Sequence, residues 1–284
     1  AGNNLFTEYA LGKARDAKCF VPEDTRRVLG VDVARAESGD STFVYLCESG
    51  FMHEWREVEH EDADGNVYTT TELGEVSDVE GARIRFVASY RGRPFSDRVE
   101  DDGNGNLITT IGQATLIHQK AVELGVQQIR VDASGVGKGL VDALFSIDLK
   151  GQPRPYLIIE VLGAKGSPDA VVWKNDRAFQ YDKLRERMEQ GLIDLDPEHS
   201  LLFEQLGDII YEEAPPYGAI LIESKESMKK RGVKSPDAAD TCTYAAALLP
   251  GIDDPINRAK KGDTFFQSPF SMLRMRRDAV GSPM

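Results

Sequence analysis

The sequence has few of the residues that mark secreted and membrane proteins. Its 284 residues include three cysteines, which are far apart and have no CxxC or CxxxH spacing, so we interpret them as buried free thiols. No apolar run approaches the roughly 20 residues of a membrane helix. The first residues lack a basic leader followed by an apolar segment. We therefore expect a protein that is neither secreted nor inserted in a membrane.

The sequence also lacks the patterns of several common enzyme classes. Its four histidines show no HxH or HExxH spacing, which argues against a zinc hydrolase. Neither a GxSxG pattern nor a recognisable Ser/His/Asp or Cys/His arrangement is present. Acidic residues outnumber basic ones by 47 to 34, for a formal net charge of −13. That charge argues against a protein that coats DNA non-specifically, but not against an enzyme whose carboxylates hold a metal ion.

The order of predicted elements indicates an α/β fold. Two β-rich runs around residues 27–33 and 42–46 predict antiparallel strands, and 51–58 predicts a third. Strands and helices alternate further along the chain, which is typical of parallel strands with crossover helices. The predicted helices are 7–13, 114–124, 136–149, 173–190, 197–210 and 237–249, and the later strands are 82–90, 126–131, 155–162, 192–195 and 218–223.

These elements suggest a single main domain with extensions. We predict a lead-in segment at 1–26, the domain at 27–250 with a β-rich insertion at 59–106, and a basic tail at 251–284.

One carboxylate stands out because it lies within an apolar strand. Asp32 belongs to the run Val31-Asp32-Val33, where an unpaired charge is costly to bury. A bound cation is an economical partner for it. Asp132 ends a later predicted strand, at the edge where α/β sheets bind ligands. Asp237 and Asp240 stand on one side of the first turn of the last helix.

Each of these acids also has an ordinary structural explanation. Asp132 and Asp237 are suitable helix caps, whereas Asp240 lies on an otherwise apolar helix surface. Together the acids suit a shared Mg²⁺ or Mn²⁺ site better than unrelated caps. Two hard cations held by carboxylates can activate water and stabilise the leaving oxygen of a phosphodiester.

Other candidate sites are weaker. Residues 135–139, Gly-Val-Gly-Lys-Gly, lack the first glycine and the final Ser or Thr of a Walker motif, and they do not fit GxGxxG. The acidic turn at 100–106 lacks the later glutamate and flanking helices of an EF-hand. A basic stretch before Ser235 is either a solvated loop or a phosphate-contact surface. It contains Lys225, Lys229, Lys230, Arg231 and Lys234.

The sequence resembles the nuclease domain of bacteriophage terminase large subunits over about residues 27–249. The matching stretches are Val-Asp-Val-Ala with Gly-Asp-Ser-Thr, Val-Asp-Ala-Ser-Gly-Val-Gly, Trp-Lys-Asn-Asp-Arg-Ala, Met-Lys-Lys-Arg-Gly and Lys-Ser-Pro-Asp-Ala-Ala-Asp-Thr. The resemblance implies a ribonuclease H-like fold, with a central mixed sheet, its first three strands antiparallel, and helices on both faces.

The resemblance also implies an activity, which is cutting of concatemeric double-stranded viral DNA with two Mg²⁺ or Mn²⁺ ions. The implied ligands and catalytic residues are Asp32, Asp132 and Asp240, with Asp237 as a fourth, and Asp32 bridges both ions. The implied partners are the terminase ATPase domain, the portal and the small terminase subunit, in the host cytoplasm. Because the chain has no Walker motif, we expect it to cut DNA without ATP.

Two other interpretations remain open. The Asp-Ala-Ala-Asp pair is also similar to that of Holliday-junction resolvases, so a ribonuclease H-like nuclease acting on branched DNA or hybrids is one alternative. The other is a non-catalytic adaptor that binds a portal or motor and whose acids are only caps.

Overall fold

The protein is described by a computed structural model that covers residues 3–17, 25–34, 40–149, 151 and 154–246. Its chain divides into units Ala1–Leu249 and Pro250–Met284, and the described residues all belong to the first. The predicted basic tail, residues 251–284, and Cys19 lie outside the described residues. Cys47 and Cys242 are buried and free. No helix in the described part is long and apolar enough to cross a membrane.

The helices and strands agree with the predicted alternation. The helices are α1 Glu8–Asp16, α2 Gln113–Glu123, α3 Gly137–Leu149, α4 Asp176–Glu189, α5 Ser200–Gly207, α6 Lys225–Lys230 and α7 Asp237–Ala246. The strands are β1 Arg26–Asp32, β2 Ser41–Glu61, β3 Val67–Arg91, β4 Arg98–Asp101, β5 Leu107–Thr110, β6 Gln128–Asp132, β7 Leu157–Val161, β8 Ile193–Leu195, β9 Tyr211–Ala214 and β10 Ala219–Ile222.

Six strands form the central mixed sheet in the order β7-β6-β1-β2-β3-β8. The first three strands are antiparallel neighbours, whereas β6, β7 and β8 join by parallel pairing. This arrangement confirms the predicted mixed sheet. It also places the end of β1, at Asp32, beside the end of β6, because Val31 pairs with Val131.

Side chains alternate between the two faces of the sheet along each strand. Apolar side chains on both faces are covered by helices. Val44 and Leu46 of β2 belong to a core with α2 and α3, whereas Tyr45 and Cys47 belong to a second core with α1, α4, α5 and α7. The lead-in segment contributes Leu5, Phe6 and residues of α1 to the second core. Helices on both faces of the sheet are therefore confirmed.

The prediction of separate strands at 42–46 and 51–58 is wrong, because β2 runs through both. Glu48 does not end the strand, since Arg27 and Arg83 bind its carboxylate at 3.1 and 2.6 Å. Gly50 still pairs with Gly81 of β3. Within the predicted β-rich insertion, residues 59–61 and 67–91 belong to the same long strand pair, formed by β2 and β3.

Beyond these glycines, residues 51–80 form a two-stranded extension that we call the arm. β1 no longer accompanies it, since Arg26 pairs with Ser49 and Asp32 pairs with Phe43. The arm therefore leaves the sheet at the end opposite Asp32, and extends about 35 Å at roughly 3.3 Å per residue. It contains ten acidic residues and one arginine.

Four further elements were not predicted. Strands β4 and β5 pair with each other, and β9 pairs with β10, each in a small hairpin. The basic stretch begins with the short helix α6. Ser224 caps α6 by accepting a hydrogen bond from the Ser227 nitrogen at 3.1 Å, and Met228 anchors it in the core.

Close packing of α7 on the sheet depends on Gly30 of β1. A Cβ atom at this position would lie 2.5 Å from the Thr241 carbonyl oxygen and 2.6 Å from the Ala245 nitrogen. Both are backbone atoms of α7, so relief would require the helix to move. Glycine at position 30 therefore lets the helix lie directly against β1.

We expect Gly30→Ala to lower the free energy of unfolding by about 1–3 kcal/mol, as overpacking does in a dense core. Urea denaturation measures the change. Gly12→Ala is the matched control, because nothing lies within 4 Å of its added methyl group and alanine favours the interior of α1. Equal destabilisation by the two substitutions would contradict the packing argument.

Candidate metal centre

Three carboxylates from two elements meet at one end of the sheet. Asp32 is the last residue of β1, and Asp237 and Asp240 stand three residues apart in the first turn of α7. Each carboxylate offers an oxygen, and these oxygens all lie within 4.8 Å of one another. Asp32 is 6% exposed and Asp240 is fully buried. We call these three residues the acidic cluster.

An internal cation partly balances this cluster. The ammonium of Lys225, the first residue of α6, lies 3.0 Å from Asp240 Oδ2, 3.3 Å from Asp237 Oδ1 and 3.6 Å from Asp32 Oδ2. Its side chain is 42% exposed, so it approaches the buried acids from the solvent side. Lys225 therefore lies where a cation shared by all three carboxylates is electrostatically favoured.

The other oxygen of Asp240 has a separate set of partners. Tyr181 donates its hydroxyl to Asp240 Oδ1 at 2.7 Å, and Arg177 donates from Nε and Nη2 at 3.2 Å each. Both donors belong to α4. Asp240 is thus held by α4 on one side and faces Lys225 on the other.

The pKa values of the two most buried acids move in opposite directions. Burial raises the pKa of Asp32 well above its usual value, and repulsion from Asp240, Asp237 and Asp132 adds to this, although Lys225 opposes it. Burial alone would also raise the pKa of Asp240, but Arg177 and Lys225 outweigh it and lower that pKa. The difference follows from the partners, because Arg177 binds only Asp240 within the cluster.

The donor set fits a hard divalent cation. Asp32 Oδ2 and Asp240 Oδ2 are both buried without a hydrogen-bond partner among the described residues, an arrangement that is costly unless positive charge is nearby. Carboxylate oxygens are the ligands that Mg²⁺ and Mn²⁺ prefer. The cluster also opens into a cleft of about 270 Å³, lined in part by Asp40, Ser41 and Val136.

Asp132, predicted as one of three main ligands with Asp237 as a fourth, lies at the border of the acidic cluster, and Asp237 takes its place in the cluster. Its Oδ1 accepts a hydrogen bond from the Ser134 nitrogen at 2.8 Å, in the turn before α3, and Tyr244 donates to its Oδ2 at 3.4 Å. The group within 4.8 Å does not include it. Its carboxylate is close enough to raise the pKa of Asp32, so a ligand role for Asp132 stays a prediction.

The five residues of the basic stretch have different positions. Lys225 lies in the acidic cluster, and Arg231 binds the Glu223 carboxylate, with a shortest distance of 2.6 Å. Lys229, Lys230 and Lys234 are exposed. DNA contact by these residues stays a prediction, and the Arg231 guanidinium is already engaged by an internal acid.

Sequence reasoning missed the roles of Arg177 and Tyr181. Arg177 lies in a stretch that carries the family resemblance, Trp173-Lys174-Asn175-Asp176-Arg177, but nothing in that stretch indicates a partner 63 residues away. The available signal was the i, i+4 spacing of Arg177 and Tyr181, which places them on one face of a helix.

Comparison with solved structures identifies the class of fold. The nuclease domain of the large terminase subunit gp2 of bacterial virus Sf6, as a lysine-to-alanine variant with manganese and beta-thujaplicinol, matches with a TM-score of 0.55 and 17% identity. The match covers 85% of this chain and 97% of that one. Another structure of that nuclease domain gives 0.53 with the same identity and coverage. No family model and no curated protein matches the sequence.

The chain therefore has a ribonuclease H-like fold. More particularly, its fold is that of the nuclease domain of a large terminase subunit, which confirms the resemblance for the fold.

We expect Lys225→Met to destabilise the metal-free protein, because it removes the cation that three close carboxylates share. The loss should be on the order of 1 kcal/mol, since the lysine side chain is partly exposed and solvent screens its charge. Thermal unfolding with and without Mn²⁺ measures it, and Mn²⁺ should raise the Tm of the variant more than that of the wild type. An unchanged Tm in metal-free buffer would contradict this account of the charge balance.

Proposed function

We propose that this protein is a metal-dependent endonuclease that cuts double-stranded DNA during viral genome packaging. The observation that carries the proposal is the convergence of Asp32, Asp237 and Asp240 at the end of a ribonuclease H-like sheet. The fold shared with the Sf6 terminase nuclease domain supports it, as does manganese in a structure of that domain.

The roles of the acids follow from their positions. Asp32, Asp237 and Asp240 would hold Mg²⁺ or Mn²⁺, and Asp132 at the border of the cluster would be a further ligand. Two bound cations would supply Lewis-acid activation of a water molecule and stabilisation of the leaving oxygen. The burial of Asp32 and Asp240 keeps bulk water from screening these charges.

The exposed lysines supply contacts to DNA. Lys229 and Lys230 lie on α6, and Lys234 follows in the loop that leads to α7. Lys225 is the cation of this stretch nearest to the carboxylates, and so the one best placed to contact the phosphate that is cut. Because such contacts are electrostatic, affinity should fall steeply with salt.

The proposed setting is a packaging complex in the host cytoplasm. The substrate is concatemeric viral DNA, and the partners are a terminase ATPase domain, the portal and the small terminase subunit. Since the sequence contains no Walker motif, the nuclease reaction of this chain needs no ATP.

We expect Asp32→Asn to abolish cleavage of plasmid DNA in Mn²⁺, because it removes one of the charges that hold the cations. Gel assays of nicking and linearisation measure the loss, and circular dichroism checks the fold. Asp142→Asn is the matched control, since its side chain is 68% exposed on α3 and its loss should leave cutting unchanged. Undiminished cutting by Asp32→Asn would refute the metal site.

The choice of substrate separates this proposal from its alternatives. Linear duplex, a four-way junction and an RNA–DNA hybrid should be compared under the same Mn²⁺ conditions. Preference for duplex supports a packaging nuclease, whereas strong preference for the junction or the hybrid contradicts it in favour of a resolvase-like enzyme. The absence of specific Mn²⁺ binding would instead favour a non-catalytic adaptor.

We expect the lysines and the arginine of the basic stretch to behave differently when replaced. Lys229→Ala, Lys230→Ala and Lys234→Ala should each lower the slope of log affinity against log salt by about 1. Arg231→Ala should lower stability by more than any of these, because it leaves Glu223 without its ion pair. Fluorescence anisotropy with duplex DNA and urea denaturation test the two effects, and unchanged salt slopes for all three lysine variants would exclude this surface.

A further inference from the structure

The two oxygens of Asp240 have sharply different surroundings. Oδ1 accepts one hydrogen bond from Tyr181 and two from Arg177, at 2.7, 3.2 and 3.2 Å. Oδ2 lies 3.0 Å from the Lys225 ammonium and receives no hydrogen bond from Arg177 or Tyr181. Oδ1 is therefore occupied by three hydrogen-bond donors, whereas Oδ2 faces only a cation.

Arg177 also connects three elements at this point. Its Nη1 donates to the Glu223 carbonyl oxygen at 2.9 Å, and Glu223 directly precedes Ser224, the N-cap of α6. One guanidinium thus joins α4 both to Asp240 on α7 and to the start of the helix that carries Lys225. A lysine could not make all of these bonds, because it lacks the planar, multidentate head group of arginine.

These donors stand on a well-anchored helix. Asn175 caps α4 by accepting a hydrogen bond from the Ala178 nitrogen at 2.9 Å. Tyr181, Leu184 and Met188 of α4 are buried in the second core. The Arg177 side chain is only 14% exposed and lies 5.1 Å from the centre of the Tyr181 ring. Arg177 and Tyr181 are therefore held in place, and rotation of the Asp240 carboxylate would break their hydrogen bonds to it.

We propose that Arg177 and Tyr181 are positioning residues that set the metal affinity of the acidic cluster. They hold the Asp240 carboxylate in one orientation and occupy Oδ1, so that Oδ2 is kept for a divalent cation. This inference rests on the proposed metal site. Loss of partners that orient a metal ligand typically costs 10- to 100-fold in metal affinity.

The test is calorimetric titration of Mn²⁺ into the metal-free chain and into its Tyr181→Phe and Arg177→Lys variants. We expect both variants to bind Mn²⁺ 10- to 100-fold more weakly than the wild type. Tyr181→Phe removes only a hydroxyl group and is the less disruptive change. It alone tests the proposal if Arg177→Lys does not fold.

Tyr156→Phe is the matched control. It removes another buried tyrosine hydroxyl, one that lies 2.9 Å from His118 Nδ1 in the core formed with α2 and α3. We expect Tyr156→Phe to lower stability in urea as Tyr181→Phe does, but to keep Mn²⁺ affinity within twofold of the wild type. A merely structural role for Tyr181 predicts the same Mn²⁺ affinity for both variants.

Cleavage assays add a second readout and separate this inference from the proposed function. Saturating Mn²⁺ should restore much of the cutting rate of Tyr181→Phe, with an unchanged KM for DNA. Tight Mn²⁺ binding by Tyr181→Phe, or equal weakening by Tyr156→Phe, would overturn the positioning role and leave the nuclease proposal intact. A wild type that binds Mn²⁺ but cuts no DNA would overturn the nuclease proposal alone, whereas a wild type that binds no Mn²⁺ would overturn both.

Discussion

The crowding of negative charge at the end of β1 is the constraint on which the rest of this site depends. Three carboxylates offer oxygens within 4.8 Å of one another, and two of the residues are almost entirely buried. Such an arrangement is unstable unless cations meet it. Lys225 contacts all three carboxylates and Arg177 contacts Asp240, so cations of α6 and α4 balance the acids of β1 and α7 at one end of the sheet.

Nearby cations and donors stabilise the charge of Asp240 more than the charge of Asp32. Asp240 has a guanidinium, an ammonium and a phenol around it, so its pKa is lowered in spite of burial. Asp32 shares only the ammonium and has a raised pKa. Oδ2 of both residues is buried and faces the Lys225 ammonium, at 3.0 Å for Asp240 and 3.6 Å for Asp32, so both atoms depend on a nearby cation. Buried acidic oxygens of this kind are expected where a site serves a ligand.

Local patterns were enough to predict most elements. Strand alternation and helical period identified the strands and helices of the sheet, and they placed Asp32 in the first strand and Asp240 in the first turn of the last helix, as the structure has them. The predicted group of acids also included Asp132, which lies outside the group within 4.8 Å. Strand β2 was predicted as two strands because Glu48 and Gly50 interrupt its apolar pattern, whereas pairing with β3 keeps the strand continuous. The partners of Asp240 could not be predicted, since a contact between residues 177 and 240 depends on how two helices pack.

The arm carries a large part of the net negative charge of the protein. Ten acidic residues and one arginine stand on residues 51–80, and the strand register carries them away from the end of the sheet where Asp32 lies. Much of the formal charge of −13 is thus remote from the cleft, and at physiological ionic strength it is screened over about 8 Å. The repulsion that these arm residues exert on another anion is therefore weaker near Asp32 than near the arm.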